Sequence, residues 1–246
     1  MHLHEFLKSL HEVVRPRTYL EVGVQRGESL TFSRVPSIGI DPEFGVVSEL
    51  FTDVHLARTT SDEFFARKKP LAHLRKPVID LAFIDGMHLA EYALRDYLAV
   101  ERFTSPGSVV VIDDMLPRSV EEAARHRRSV AWTGDVFKAG VALREQRPDL
   151  VVIEVDTQPT GVAVVLGPDA SREGVLPGYD DWLDVACAPD PQAVPEEILT
   201  RSRALDPKRV LASTGWAQLR RLRRAKSVNP AAVRAAFADL LDARAA

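Results

Sequence analysis

Three carboxylates and an imidazole close two short apolar runs of this chain, a set of residue types suited to holding a divalent cation and moving a proton. The first run, Ile79-Asp80-Leu81-Ala82-Phe83-Ile84, ends in Asp85-Gly86-Met87-His88; the second, Ser108-Val109-Val110-Val111-Ile112, ends in Asp113-Asp114. Carboxylates gathered at one place repel each other unless a cation or shared protons hold them together. A hard ion such as magnesium takes oxygen ligands and keeps waters that the hydroxyls of a second molecule can replace. Asp85, Asp113 and Asp114 are therefore the candidate metal ligands. His88 is the candidate proton acceptor, because an imidazole titrates near neutrality. A neighbouring divalent cation disfavours the charged ring, so the His88 pKa is expected at or below its ordinary value.

Each of these residues also has a plain structural use. Asp85 and Asp113 stand where helix caps are needed, and His88 can pack as a helix N-terminal residue. Adjacent strand residues point to opposite faces, so Asp113 and Asp114 reach one ion only if the strand has ended at Asp113. The joint occurrence of all four at two strand tips favours the chemical reading.

Both apolar runs read as strands buried on both faces, as in parallel sheets, and open α/β folds bind ligands at the carboxyl ends of such strands. Leu3, Phe6, Leu7, Leu10 and Val14 recur at helical spacing before Pro16. Strands are expected over 18–24, 37–40, weakly over 55–57, then 78–84 and 108–112. A short helix starts at Ser29, a second after Ser61-Asp62-Glu63, and a third runs from about Glu91 to Arg102. Arg118 to Arg128 reads as a charged helix. Thr133-Gly134-Asp135 reads as the cap of another over 136–146, with Trp132 a flat surface for an acceptor. The runs 150–155 and 162–166 are joined too closely for a crossover helix, so they should be antiparallel. The expected architecture is a doubly wound, Rossmann-like, mostly parallel α/β sheet with a final antiparallel strand, plus helical N- and C-terminal extensions.

With 246 residues, a net charge of −3 and 27% charged residues, nothing argues for nucleic acid as an obligate partner. The single Cys187 excludes an intrachain disulfide framework and fits a reducing cytoplasm. No apolar run approaches the roughly 20 residues that span a bilayer, so no membrane is expected. After Gly167 the character changes. Asp169 to Glu197 holds eight acids against Arg172, and Arg201 to Lys226 holds nine Lys or Arg against Asp206. The first segment reads as a lid or wrap, the second as helix with a basic face. That face is either solvated or a surface for an anionic ligand or a second copy of the chain. Asn229-Pro230 starts a last helix, with Val233, Phe237, Leu240 and Leu241 on one stripe.

Glu21-Val22-Gly23-Val24-Gln25-Arg26-Gly27 has the form acid-x-Gly-x-x-x-Gly at a strand-to-helix turn, where a ligand can lie against bare backbone. Asp41 closes the next strand, where a carboxylate accepts ribose hydroxyls. The glycine spacing is not that of the dinucleotide fingerprint, and Glu21 would repel a phosphate. An acid there suits a sulfonium or amino group, and S-adenosylmethionine carries both.

On these residues the chain resembles the class I S-adenosylmethionine-dependent methyltransferases over about Thr18 to Leu166. Within them, Phe83-Ile84-Asp85-Gly86-Met87-His88 and Ile112-Asp113-Asp114 are similar to the magnesium-dependent O-methyltransferases of macrolide-type sugars. The catechol-type enzymes are more distant, with Asn usual where this chain has Asp114. The resemblance implies a cofactor site of Glu21, Gly23, Gly27, Asp41, Ser61 and Asp85, metal ligands Asp85, Asp113 and Asp114, and His88 as general base. It implies a cofactor-binding domain over 1–167, with 1–16 its N-terminal helix, and a lid and C-terminal extension over 168–246. A glycoside or polyol acceptor is expected, with self-association through the C-terminal helices as a further use of that segment. The alternatives are a metal-independent enzyme using His88 alone and a non-catalytic S-adenosylmethionine-binding scaffold.

Overall fold

Leu3, Phe6, Leu7, Leu10 and Val14 bury one side of the first helix, α1 (Leu3–Val14), in the computed structural model, which describes residues 1–224 and 229–242. His2 caps it and Arg15, in a left-handed conformation, ends it before Pro16. β1 (Tyr19–Val22) follows, then a single 3₁₀ turn at Ser29–Phe32 that Pro36 keeps from lengthening, β2 (Ser37–Ile40) and β3 (Val54–Ala57). α2 (Ser61–Phe65) is capped by Thr60, whose hydroxyl accepts the Glu63 amide; the sequence had suggested Ser61 at that end. β4 (Leu81–Ile84), α3 (Ala90–Glu101), β5 (Val109–Ile112), α4 (Phe137–Gln146), β6 (Val151–Val155) and β7 (Val162–Leu166) complete the sheet layer.

The strand order is β3-β2-β1-β4-β5-β7-β6. The first five strands are parallel, and β7 runs antiparallel to both β5 and β6. Every residue of β1, β2, β4, β5, β6 and β7 is buried, which is why their sequences are mostly apolar, with Glu21 in β1, Ser37 in β2 and Glu154 in β6 as the exceptions. One face packs on α2, α3 and α4 through Phe64, Leu94, Tyr97 and Leu143. The other is covered by α1 and by the C-terminal helices, through Phe6, Leu10, Trp216, Val233 and Phe237. The β1–β2 crossover has only its 3₁₀ turn, too little to cover that face, and the two chain extensions do so instead.

α5 (Tyr179–Ala186), α6 (Glu196–Leu199), α7 (Pro207–Ala212), α8 (Gly215–Leu222), α9 (Pro230–Ala236) and α10 (Ala238–Asp242) form the C-terminal part. Asn229 caps α9, and the stripe of Val233, Phe237 and Leu240 is docked on the sheet. The basic segment is two short helices over its described part; Lys226 lies outside the described residues. Several of its cations face backbone carbonyls of the same chain. Arg223 is buried and donates to Gly107 O, Val14 O and Arg15 O, and Arg220 donates to Val13 O. The carbonyls of Val13, Val14 and Arg15 belong to the C-terminal end of α1, where a cation is favoured.

Two local expectations fail. Residues 118–128 form turns and bends, not a helix: the amides of Arg125 and His126, which a helix would bond four residues back, donate to Asp190. Asp135 does not cap α4; its Oδ1 accepts the Ala90 amide at 2.9 Å and so caps α3. No helix among the described residues is long and apolar enough to cross a membrane.

Candidate active site

β4 and β5 are paired in register, Ile84 beside Ile112, so their ends deliver Asp85 and Asp113 side by side. Asp85 N donates to Val22 O and Asp113 N to Ile84 O, which extends the ladder one residue and stops it. Asp114 then takes a left-handed conformation, φ 61°. The strand has ended at Asp113, so the two adjacent carboxylates need not face opposite ways. His88 is also left-handed, φ 54°, and its carbonyl touches Gly134, where an added Cβ would lie 1.7 Å from it. Backbone strain of this kind gathers at sites where the surrounding structure imposes it.

The imidazole sits between two acids. Nδ1 lies 2.7 Å from Asp114 Oδ2 and 2.9 Å from the Trp132 carbonyl, and Nε2 lies 3.5 Å from Asp85 Oδ1. The indole of Trp132 stacks on the ring with centroids 5.1 Å apart and planes 6° from parallel. Both neighbours of Nδ1 accept only, so Nδ1 carries the proton in the neutral ring and Nε2 is the free acceptor. Ligand atoms of Asp85, His88 and Asp114 lie within 4.8 Å of one another, and the buried Asp113 Oδ1 has no hydrogen-bond partner.

Electrostatically this corner is frustrated. Burial and the charge of Asp114 push Asp85 up to about 7, against the opposing pull of His88. Burial, Asp114 and Asp85 push Asp113 well above the usual carboxylate range. Burial alone would lower the His88 pKa, but the hydrogen bond and charge of Asp114, with Asp85 beyond, raise it to about 9. The lowered value expected from the sequence is therefore not that of the ring among these acids alone.

The four groups open onto a cavity of about 840 Å³ that Gly23, Asp41 and Ser61 also line. Here the structure redistributes the expected roles. Glu21 lies outside the cavity lining, fully buried, its two oxygens accepting from Tyr19 Oη at 2.6 Å and Ser29 Oγ at 2.7 Å. Gly23 does line the cavity, yet the demand for glycine comes from the protein: at φ 87°, a Cβ would lie 1.8 Å from Asp85 O. Gly27, outside the lining, closes the turn through its amide on Val24 O and would meet Val46. Asp41 lines the cavity, but Oδ2 already accepts from Val24 N and Gln25 N and Oδ1 from Glu43 N. Ser61 lines it as the first residue of α2.

Asp96 was missed. It lies on the buried side of α3, lines the cavity beside Ser61, and is pushed by burial up to about 7 although the Ser61 hydroxyl bonds to it. The signal was present: an acid among Ala93, Leu94 and Tyr97, where the helical period calls for an apolar residue. Arg95, Asp62, Arg127 and Thr160 also line the cavity without having been singled out. No residue of 168–200 does, so that stretch wraps the fold and does not cover the cavity.

Residues 20–115 match the family model described as a methyltransferase domain. Every candidate cofactor and metal residue falls inside the matched segment, whereas Arg127, Trp132 and Thr160 lie outside it. No curated protein matches the chain. Among solved structures, it is similar to a Staphylococcus aureus protein assigned as a caffeoyl-CoA O-methyltransferase, with 15% identity, 67% of this chain and 82% of that one covered, and a TM-score of 0.50. An O-methyltransferase from Bacillus cereus in complex with SAH aligns with 14% identity, 67% and 80% coverage and a TM-score of 0.47. TomG, an O-methyltransferase from Streptomyces achromogenes involved in tomaymycin synthesis and solved with SAM, aligns with 18% identity, 67% and 78% coverage and a TM-score of 0.45.

Proposed function

We propose that the protein is a magnesium-dependent O-methyltransferase that moves the methyl group of S-adenosylmethionine to a hydroxyl of a sugar or other polyol-bearing small molecule. The observation that carries this reading is the convergence of Asp85, Asp114 and His88, with Asp113 beside them, in the wall of one cavity that Gly23 of the glycine turn also lines. The residues fit a hard cation. Carboxylate oxygens of Asp85 and Asp114 come together beside His88, Asp85 and Asp113 are pushed up by burial and by neighbouring acids, and Asp113 Oδ1 is buried without a partner. The cavity is also within the size range of small-molecule sites.

Asp85, Asp113 and Asp114 would hold magnesium, which would supply Lewis acidity toward a hydroxyl of the acceptor. S-adenosylmethionine supplies an electrophilic methyl group. Gly23 and Ser61 offer bare backbone and a hydroxyl to the cofactor, and Asp41 braces the turn against which it lies. His88 takes the acceptor's proton at Nε2. Trp132 and Asp114 fix the opposite edge of the ring and keep the proton on Nδ1. With Asp85 and Asp114 engaged by a cation, the influences that raise His88 are weakened, and burial, which lowers it, remains. That same point weighs against the metal-independent alternative: at about 9 the ring is protonated at neutral pH and cannot accept a proton.

The test is methyl transfer to a panel of glycosides and polyols after chelation. Activity should vanish and return with magnesium, while calorimetric binding of S-adenosylhomocysteine is kept. Transfer that persists in chelator refutes the metal role, and tight cofactor binding with no transfer to any acceptor favours the scaffold reading.

A further inference from the structure

The cavity is strongly acidic, since Asp41, Asp62, Asp85, Asp96, Asp113 and Asp114 all line it. Two arginines share that lining, and they differ. Arg95 faces Asp62 directly. Arg127 donates only to carbonyls of its own loop, Ser129 O at 3.4 Å and Val130 O at 3.1 Å, and has no carboxylate partner among the described residues. It belongs to the loop that also brings Trp132 to His88, the ring proposed to take the acceptor's proton. Next to it Val130 is 94% exposed, and Met87, beside His88, is 56% exposed. Among the side chains of that lining, Arg127 is therefore the cation whose charge is left for an anionic group of a ligand.

We propose that Arg127 is a specificity-determining residue that binds a carboxylate on the acceptor, with Val130 and Met87 receiving an apolar portion of the same molecule. This rests on the acceptor reading of the cavity and narrows it to an amphiphilic acid. A carboxylate held by Arg127 occupies that part of the wall, which leaves the hydroxyl-bearing end of the acceptor to reach His88. Arg127 thereby selects the acid and sets which end is presented for methylation. Arginine suits this because its planar guanidinium meets a carboxylate through paired hydrogen bonds.

The experiment uses two matched pairs, phenyl β-D-glucuronide against phenyl β-D-glucoside and 3,4-dihydroxybenzoate against catechol. Each is titrated into the full chain with magnesium and S-adenosylhomocysteine present. The anionic member of at least one pair should bind roughly five- to tenfold tighter. Arg127→Gln should abolish that preference without changing the affinity of the neutral member, and Arg127→Lys should keep part of it. Arg127 is exposed, so neither variant endangers the fold. Equal binding within both pairs, or a preference that survives Arg127→Gln, overturns the proposal. So does a loss of S-adenosylhomocysteine affinity in Arg127→Gln, which would assign the guanidinium to the cofactor's carboxylate. Failure of the metal-and-polyol reading looks different: glucoside and catechol would then bind equally with and without chelator.

Discussion

Two groups of acids stand at neighbouring strand ends of the same sheet, and they live under opposite conditions. At the tip of β1, and at Asp41 beyond β2, Glu21 and Asp41 have their oxygens occupied by hydrogen bonds from Tyr19, Ser29 and three backbone amides. At the tips of β4 and β5, Asp85 and Asp113 repel each other and Asp114, and one buried oxygen has no partner at all. Folding alone explains the first group, since each carboxylate closes a turn or fills a polar gap. It does not explain the second. A buried polar group left unsatisfied costs stability, and charges crowded together cost more. Three acids held in that state, beside two left-handed non-glycine residues, mark a place that awaits a ligand.

The largest effect should come from neutralising that second group. Asp113→Asn or Asp85→Asn should abolish methyl transfer and leave S-adenosylhomocysteine affinity nearly unchanged. Because both acids are pushed up in the fold, the metal-free variants should melt at or above the temperature of the metal-free parent. Turnover that survives both substitutions would place these acids with the structural group and erase the contrast.

His88→Ala comes next, with kcat lowered by roughly 10²–10⁴-fold, the range for loss of a general base, and magnesium and cofactor binding kept. The proton balance can be followed directly. In chelator, NMR titration of the ring should give a pKa near 9, and magnesium should lower it. The activity of the loaded enzyme should rise with pH through that lower value, and the limb should be absent from the variant. A His88 pKa indifferent to magnesium would separate the imidazole from the metal site.

A smaller and differently shaped effect is expected at Asp41. Asp41→Ala leaves the amides of Val24, Gln25 and Glu43 without their acceptor and should cost about 1–3 kcal/mol of folding stability. Cofactor affinity should fall with it, since the turn it braces is part of the cavity wall. Denaturant melts and calorimetry on one preparation check both. A loss of affinity with unchanged stability would make Asp41 a direct cofactor ligand and nothing more.

What the sequence made legible follows from range. The apolar runs, the reversed final strand and the acids at strand ends depend on residues close together in the chain, and the doubly wound sheet bears them out. The frustrated group was readable because four chemically apt residues close two runs. What escaped depends on partners far away in sequence. Asp135 caps a helix that begins 45 residues earlier, at Ala90, and the amides of Arg125 and His126 are claimed by Asp190. Glu21 has the spacing of a cofactor residue, but only the fold shows that Tyr19 and Ser29 enclose it. Asp96 broke a helical pattern and could have been found by that alone.

The gentlest test of the contrast is therefore Glu21→Gln, which should change cofactor affinity and turnover little if the residue is structural. Its signature is in the pH dependence of stability. Burial pushes Glu21 from its ordinary 4.5 up to about 8, and the bonds from Tyr19 and Ser29 only partly offset this. Between those two values the folded protein holds a proton that the unfolded chain has released. The stabilisation is complete below about 4.5 and is lost as the pH rises through about 8. Glutamine has no proton to lose, and both hydroxyl neighbours can turn to meet its amide. The variant should therefore match the parent near pH 6, within about 1 kcal/mol, and exceed it at pH 9. Parallel denaturant curves at both pH values would instead mean that Glu21 is charged in the fold, with a cation or a ligand's positive end within reach, and it would then belong with Asp85 and Asp113.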